Sequence, residues 1–179
     1  NVTFEMEGPG QIYLSRYQTH FETAVESRDL AVKNHSSPKL FDCISQGITS
    51  IDSFLNDCAN IWNQNNPDDQ LIDDANNKVS IDTKFNEWIP KFSKGNTIDK
   101  SVKQWSAFKT LKSFRDNESI HPKKSGGGLE LNKMVNYLNS FRFGVALLLG
   151  NLHLHVGRPV PSIIINAHYM SDVFISKKD

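Results

Sequence analysis

The chain is poor in several things, and each shortage narrows what it can be. Cysteine occurs only at Cys43 and Cys58. Both fall in one apolar helical pattern, where fifteen residues at a rise of about 1.5 Å would hold them some 22 Å apart. A bridge needs Cα atoms within about 7 Å, so no disulfide framework is expected, and a reducing, cytoplasmic setting follows. Net charge is missing too: twenty basic and twenty acidic side chains cancel, at a pI near 7.2. The total therefore does not announce a strongly basic nucleic-acid binder. Long apolar runs are lacking. The longest, Phe141 to Leu149, is broken by Arg142 and is too short to span a bilayer, so no membrane partner is expected. No cationic start precedes an apolar run, so no signal peptide is expected, although a first residue of Asn suggests a missing or processed start. Period-two alternation, internal repeats and clusters with metal-ligand spacing are all wanting, which argues against a sheet protein, a solenoid and a metal centre. No cofactor is expected.

What is present reads as helix. Hydrophobic residues make up 38% of the chain, with eleven Phe and three Trp, enough to bury a core without metal or disulfide support. Leu14, Tyr17, Phe21, Ala24 and Val25 step by three and four, predicting a helix over 11–33. Ser37-Pro38 supplies a start signal for a second over 38–62, along which Phe41, Ile44, Ile48, Ile51, Phe54, Leu55, Cys58 and Ile61 share a face. An Asn- and Asp-rich stretch follows as loop. Ser80 caps a short helix over 80–89 that Pro90 closes, and Val102, Trp105, Phe108 and Leu111 mark another over 99–116. After the joint Ser125-Gly126-Gly127-Gly128, apolar positions from Leu131 to Leu152 predict a long helix over 128–156. Residues 157–179 form a terminal arm. The fold expected is all-α, one domain over 1–179, a bundle of about five main helices.

Charge is distributed in blocks. Lys91, Lys94, Lys100, Lys103, Lys109, Lys112, Arg115, Lys123 and Lys124 face only Asp99, Asp116 and Glu118, about +6 between Ile89 and Lys124. Between Asp52 and Glu87 the balance is about −6. The acids Asp68 to Asp74 are expected to dock on the basic block of the same or a neighbouring subunit.

One constellation inside the basic block carries chemistry. Arg115 is permanently charged and can grip a phosphate through parallel hydrogen bonds. His121 titrates near neutrality and can accept and return a proton. On an unbroken helix six positions leave the two side chains about 120° apart. A break between them, favoured by Pro122, or a second copy across a twofold axis, would bring them together. Arg28…His35 shows similar spacing, but lies in mid-pattern without basic company. Lys123-Lys124-Ser125-Gly126 lacks the order of a phosphate loop, and His153 and His155 lie on different helix faces, which disfavours a shared metal.

The run Trp88-Ile89-Pro90, then Trp105…Phe108-Lys109-Thr110-Leu111-Lys112-Ser113-Phe114-Arg115-Asp116…Ile120-His121-Pro122 resembles the core of the HEPN superfamily. These are small helical bundles whose signature is Arg, a polar residue, then His after four to six intervening residues. The helix order is similar over roughly Phe41 to Leu152, the motif over Trp105 to Pro122. The resemblance implies a homodimer with facing motifs and, in active members, metal-independent RNA cleavage. It implies Arg115 and His121 as the catalytic pair and Asp116 as the residue that orients them, where Asn is commoner. Lys112, Lys123 and Lys124 would grip RNA backbone. A toxin or defence effector with an antitoxin or nucleotidyltransferase-like partner is the enzyme reading. A catalytically silent dimer that binds nucleotide, RNA or protein is the alternative.

Overall fold

The computed structural model describes residues 4–6, 12–120 and 129–176, with side chains described within 15–117 and 129–176. The fold is all-α, apart from one small ribbon at the start. There β1 (Phe4–Met6) pairs antiparallel with β2 (Ile12–Leu14), Phe4 opposite Leu14 and Met6 opposite Ile12. The ribbon corrects the expected helix start at residue 11. Ile12, Tyr13 and Leu14 suit an extended backbone, and Leu14 belongs to this strand, not to the helical stripe that follows.

Helix α1 (Arg16–Asn34) buries Tyr17, Phe21, Ala24 and Ala31. It ends at His35, whose left-handed φ of 49° lets the Ser36 N–H close on the Ala31 carbonyl at 3.1 Å. The next helix starts one residue later. Ser36, one position before the predicted cap, accepts from the Lys39 N–H at 3.3 Å, and Pro38 sits in the first turn of α2 (Ser37–Asn65). Helix α2 is the spine of the bundle: Leu40, Ile44, Ile48, Ile51, Phe54 and Leu55 are wholly buried along it. Cys43 and Cys58 are both free and buried on this one helix, and burial pushes the Cys58 thiol up to about 11.

Ser80 caps α3 (Ile81–Thr83), as the sequence predicts. Pro90 does not close this helix. A π-helical turn over Lys84–Trp88 carries the chain into α4 (Ile89–Phe92), with Pro90 in the first turn of α4. Proline has no N–H and its ring crowds the carbonyl four residues back; the widened turn before it relieves both demands. Helix α5 runs Lys103–Ile120, displaced from the predicted 99–116 at both ends. Asp99 is a turn residue whose carboxylate accepts from the Ser101 N–H at 2.8 Å and from the Ser101 hydroxyl. At the other end, Pro122 restricts only its immediate predecessor, so nothing stops the helix at Asp116.

The long C-terminal helix, narrower than the predicted 128–156, is α6 (Leu131–Phe141), a second π-helical turn over Arg142–Leu147, and α7 (Leu148–His155). The turn is buried and crosses α5 and α2 at very short range. A Cβ on Gly144 would lie 2.6 Å from the Phe108 N and 2.7 Å from the Ala107 carbonyl carbon. One on Gly47 of α2 would meet Phe141 and Val145 at 2.9 Å. The arm after residue 157 contains α8 (Ser162–His168), which buries Ile164 and Ala167. Among the described residues no helix is long and apolar enough to cross a membrane.

Candidate functional site

Arg115 and Asp116 occupy the C-terminal half of α5, which is anchored by wholly buried Phe108 and Leu111. Neighbouring helical residues do not face each other, yet the long Arg115 side chain curls across to its neighbour. Its Nε–H and Nη2–H both donate to Asp116 Oδ1, at 2.9 and 2.8 Å. Lys112, one turn earlier, donates to Asp116 Oδ2 at 2.8 Å. Burial works against charge on the Asp116 carboxyl, but these hydrogen bonds outweigh it and hold its pKa below the usual carboxylate range. The same bond to Asp116 raises Lys112 above the ordinary lysine value. Both groups are therefore ionised at neutral pH, and Arg115 keeps about a quarter of its side chain exposed (28%). Its remaining N–H groups have no partner among the described residues.

Helix α3 brings an acid to this cluster. Asp82 accepts from Lys109 at 3.1 Å and lies 3.5 Å from Lys112. Asp69 accepts from Lys91 at 2.5 Å. The acidic and basic blocks thus meet within one chain, although not through the whole stretch expected. Asp73 turns inward to Lys84, and Asp74 caps its own loop by accepting from the Asn76 and Asn77 N–H groups. Lys112 is consequently committed to two carboxylates. His121, Lys123 and Lys124 lie outside the described residues. The break expected between Arg115 and His121 is not found as far as Ile120.

The competing pair resolves as architecture. Arg28 is 5% exposed and donates to the Leu138 carbonyl and the Ser171 carbonyl, each at 3.1 Å, tying α1 to α6 and to the arm. His35 is a helix terminus. Burial lowers the Arg28 pKa.

Two buried groups escaped the sequence reading. Lys84 is wholly buried, its ammonium donating to Asp52 at 2.7 Å, to Asn56 at 2.8 Å and to Asp73, and lying over the Trp88 ring at 5.1 Å. Its signal was legible: Lys84 shares a helical stripe with Ile81, Phe85 and Trp88. His153 is also buried, stacked on Phe54 with ring centroids 4.1 Å apart. Its Nδ1–H donates to the Leu149 carbonyl at 2.7 Å, so Nε2 must accept the Tyr17 hydroxyl proton at 3.0 Å. Burial drives its pKa down to about 4. Among the described residues no three His, Cys, Asp or Glu side chains gather as a metal site.

The chain matches no protein-family model, no curated protein and no solved structure.

Proposed function

We propose that this chain is a metal-independent endoribonuclease of HEPN type, acting as a homodimer. The observation that supports this most directly is the posture of Arg115. Asp116 grips one edge of the guanidinium through two hydrogen bonds and leaves the rest of it available to a phosphate. A preset cation is what stabilises charge developing on phosphate oxygens without reorganisation. His121, six positions along in the same motif, supplies the proton transfer.

RNA carries its own nucleophile. The 2′-oxygen attacks the adjacent phosphorus as its proton leaves to a base. The bond to the 5′-oxygen breaks, and that oxygen takes up a proton. The products are a 2′,3′-cyclic phosphate and a 5′-hydroxyl. With α5 unbroken to Ile120, a second copy across a twofold axis is the simplest way to bring an imidazole to each guanidinium. A chain that cleaves RNA needs restraint, so an antitoxin-like partner protein belongs to this reading.

Single-stranded RNA incubated in EDTA with the native chain, Arg115→Ala and His121→Ala tests it. Cleavage to a cyclic-phosphate terminus by the native chain alone is the expected result. Equal cleavage by all three, or by none, overturns it. RNA held but left intact would point instead to the silent binding module.

A further inference from the structure

A groove of about 440 Å³ opens between α5 and α6, lined by Lys109, Thr110, Ser113, Phe114 and Asn117 of α5 and by Tyr137 of α6. That volume lies within the range of small-molecule sites, roughly 300–1,000 Å³. We infer that this groove is a nucleotide-binding subsite, which seats the base of an RNA unit. The inference rests on the ribonuclease reading for its substrate class, and on the groove itself for its place.

Three features of the groove fit a base better than an apolar or purely anionic ligand. First, its α5 wall is a continuous strip, because residues spaced by four and then three or four along a helix share a face. Phe114 lies on that strip and Tyr137 across it, their ring centroids 4.3 Å apart and their planes tilted by 40°. Both rings are half-buried and line the groove, so part of the pair's π surface is open to it, and bases stack on such surfaces whatever their sequence.

Second, several polar groups of the groove keep unused donors and acceptors, although the Thr110 hydroxyl donates to the Ser106 carbonyl at 3.0 Å. The Tyr137 hydroxyl makes no hydrogen bond among the described residues. Asn117 spends only one Nδ2–H, on the Ser113 oxygen at 3.3 Å, which leaves its amide carbonyl and the Ser113 hydroxyl proton unused. An amide offers a donor and an acceptor side by side, the complement of a base edge. This contrasts with the opposite side of the same helix, where Lys112, Arg115, Asp116 and Asp82 are engaged with one another.

Third, the flank is cationic. Lys109 lines the groove with about half its side chain exposed (47%), although it also bonds Asp82. A nucleotide unit with its base on the Phe114–Tyr137 pair has Lys109 at the edge of the groove for its phosphate.

The test is binding without turnover, measured by calorimetry on the full chain. The probes are a 2′-O-methylated RNA trinucleotide, uridine 5′-monophosphate and ribose 5-phosphate, which has no base. The variants are Ser113→Ala/Asn117→Ala, both at exposed positions, and Tyr137→Leu, which keeps an apolar contact for Phe114. The trinucleotide should bind most tightly and ribose 5-phosphate at least about tenfold more weakly than the mononucleotide; each variant should weaken the trinucleotide about tenfold. Unchanged affinity in both variants, equal binding of the base-free probe, or no binding of the trinucleotide overturns the groove assignment. Failure of the ribonuclease reading is separately visible. Binding that falls in the groove variants, without cleavage by the native chain, keeps the subsite and removes the enzyme. Arg115-dependent cleavage with groove variants that bind and cut like the native chain does the reverse.

Discussion

Replacing Lys84 by Met is the sharpest probe of how this fold is held. Methionine is close to lysine in length and fills the same buried channel, so the change removes an ammonium with little change of volume. Three acceptors lose their donor: Asp52, Asn56 and Asp73. They lose it unequally. The Asp52 side chain is 36% exposed and can turn to water, whereas Asp73 is 10% exposed. Asp73 keeps only the Val79 N–H on its other oxygen, at 3.0 Å, so a buried carboxylate is left without its counter-charge. Removing one partner of a buried pair costs about 3–5 kcal/mol. Because Asp52 can rehydrate, the lower part of that range is expected, about 3 kcal/mol. Urea unfolding at pH 7 measures it as a fall in midpoint at constant slope. The double variant Lys84→Met/Asp73→Asn should regain at least half of the loss, since the stranded charge is gone. A single-variant cost under about 1 kcal/mol, or a double variant no better than the single, would refute the account.

Two further outcomes follow from the packing. His153 is neutral in the fold with a pKa near 4, below the ordinary 6.5. Its contribution is therefore complete above about pH 6.5 and is lost as pH falls toward 4, on the order of 3 kcal/mol in all. His153→Gln should flatten the difference in Tm between pH 7 and pH 4.5; parallel profiles would contradict the assignment. Gly144→Ala should destabilise by about 2 kcal/mol or more, although helix propensity alone favours alanine. The added methyl collides with α5 backbone, not with a flexible side chain. A neutral or stabilising result in thermal unfolding would mean that the two helices are not in such close contact.

How much of this could be read from the residues depends on what each element answers to. The α2 stripe from Phe41 to Ile61 was plain along its middle, where Ile44, Ile48, Ile51, Phe54, Leu55 and Cys58 are buried, but not at its ends, where Leu40 is buried in place of half-buried Phe41 and Ile61 is exposed. The ribbon at Phe4–Met6 and Ile12–Leu14 was not, since strands of three residues are too short to show a period of their own. Proline misled twice. Pro90 reads as a stop until a π-helical turn accommodates it, and Pro122 constrains one residue, not the five before it. At the candidate site, the sequence shows Arg115, Asp116 and Lys112 as a cation-rich helix end. It does not show that a single carboxylate holds both cations, because the i,i+1 grip of Asp116 on Arg115 depends on side-chain curling that spacing rules exclude. The opposed charge blocks were visible as totals. Which acid meets which base depended on the chain reversal between Asn66 and Ser80, where Asp73 answers to Lys84 instead of the basic block.

The π-helical turn over Arg142–Leu147 has a meaning for heredity as well as for packing. Such a turn holds roughly one more residue than an ordinary one, so it works like a leap day that keeps two calendars aligned. Upstream of it, Met134, Leu138 and Phe141 face the core; downstream, Leu149, Leu152 and His153 do so as well. Deleting one residue within the turn would leave a regular helix with every later side chain on its present face, whereas deleting one from the regular turns of α6 would rotate all that follows by about 100°, sweeping His153 out from beneath Tyr17. Single-residue deletions should therefore be absorbed at this turn and purged from the regular turns of α6, even where every side chain that remains is apolar.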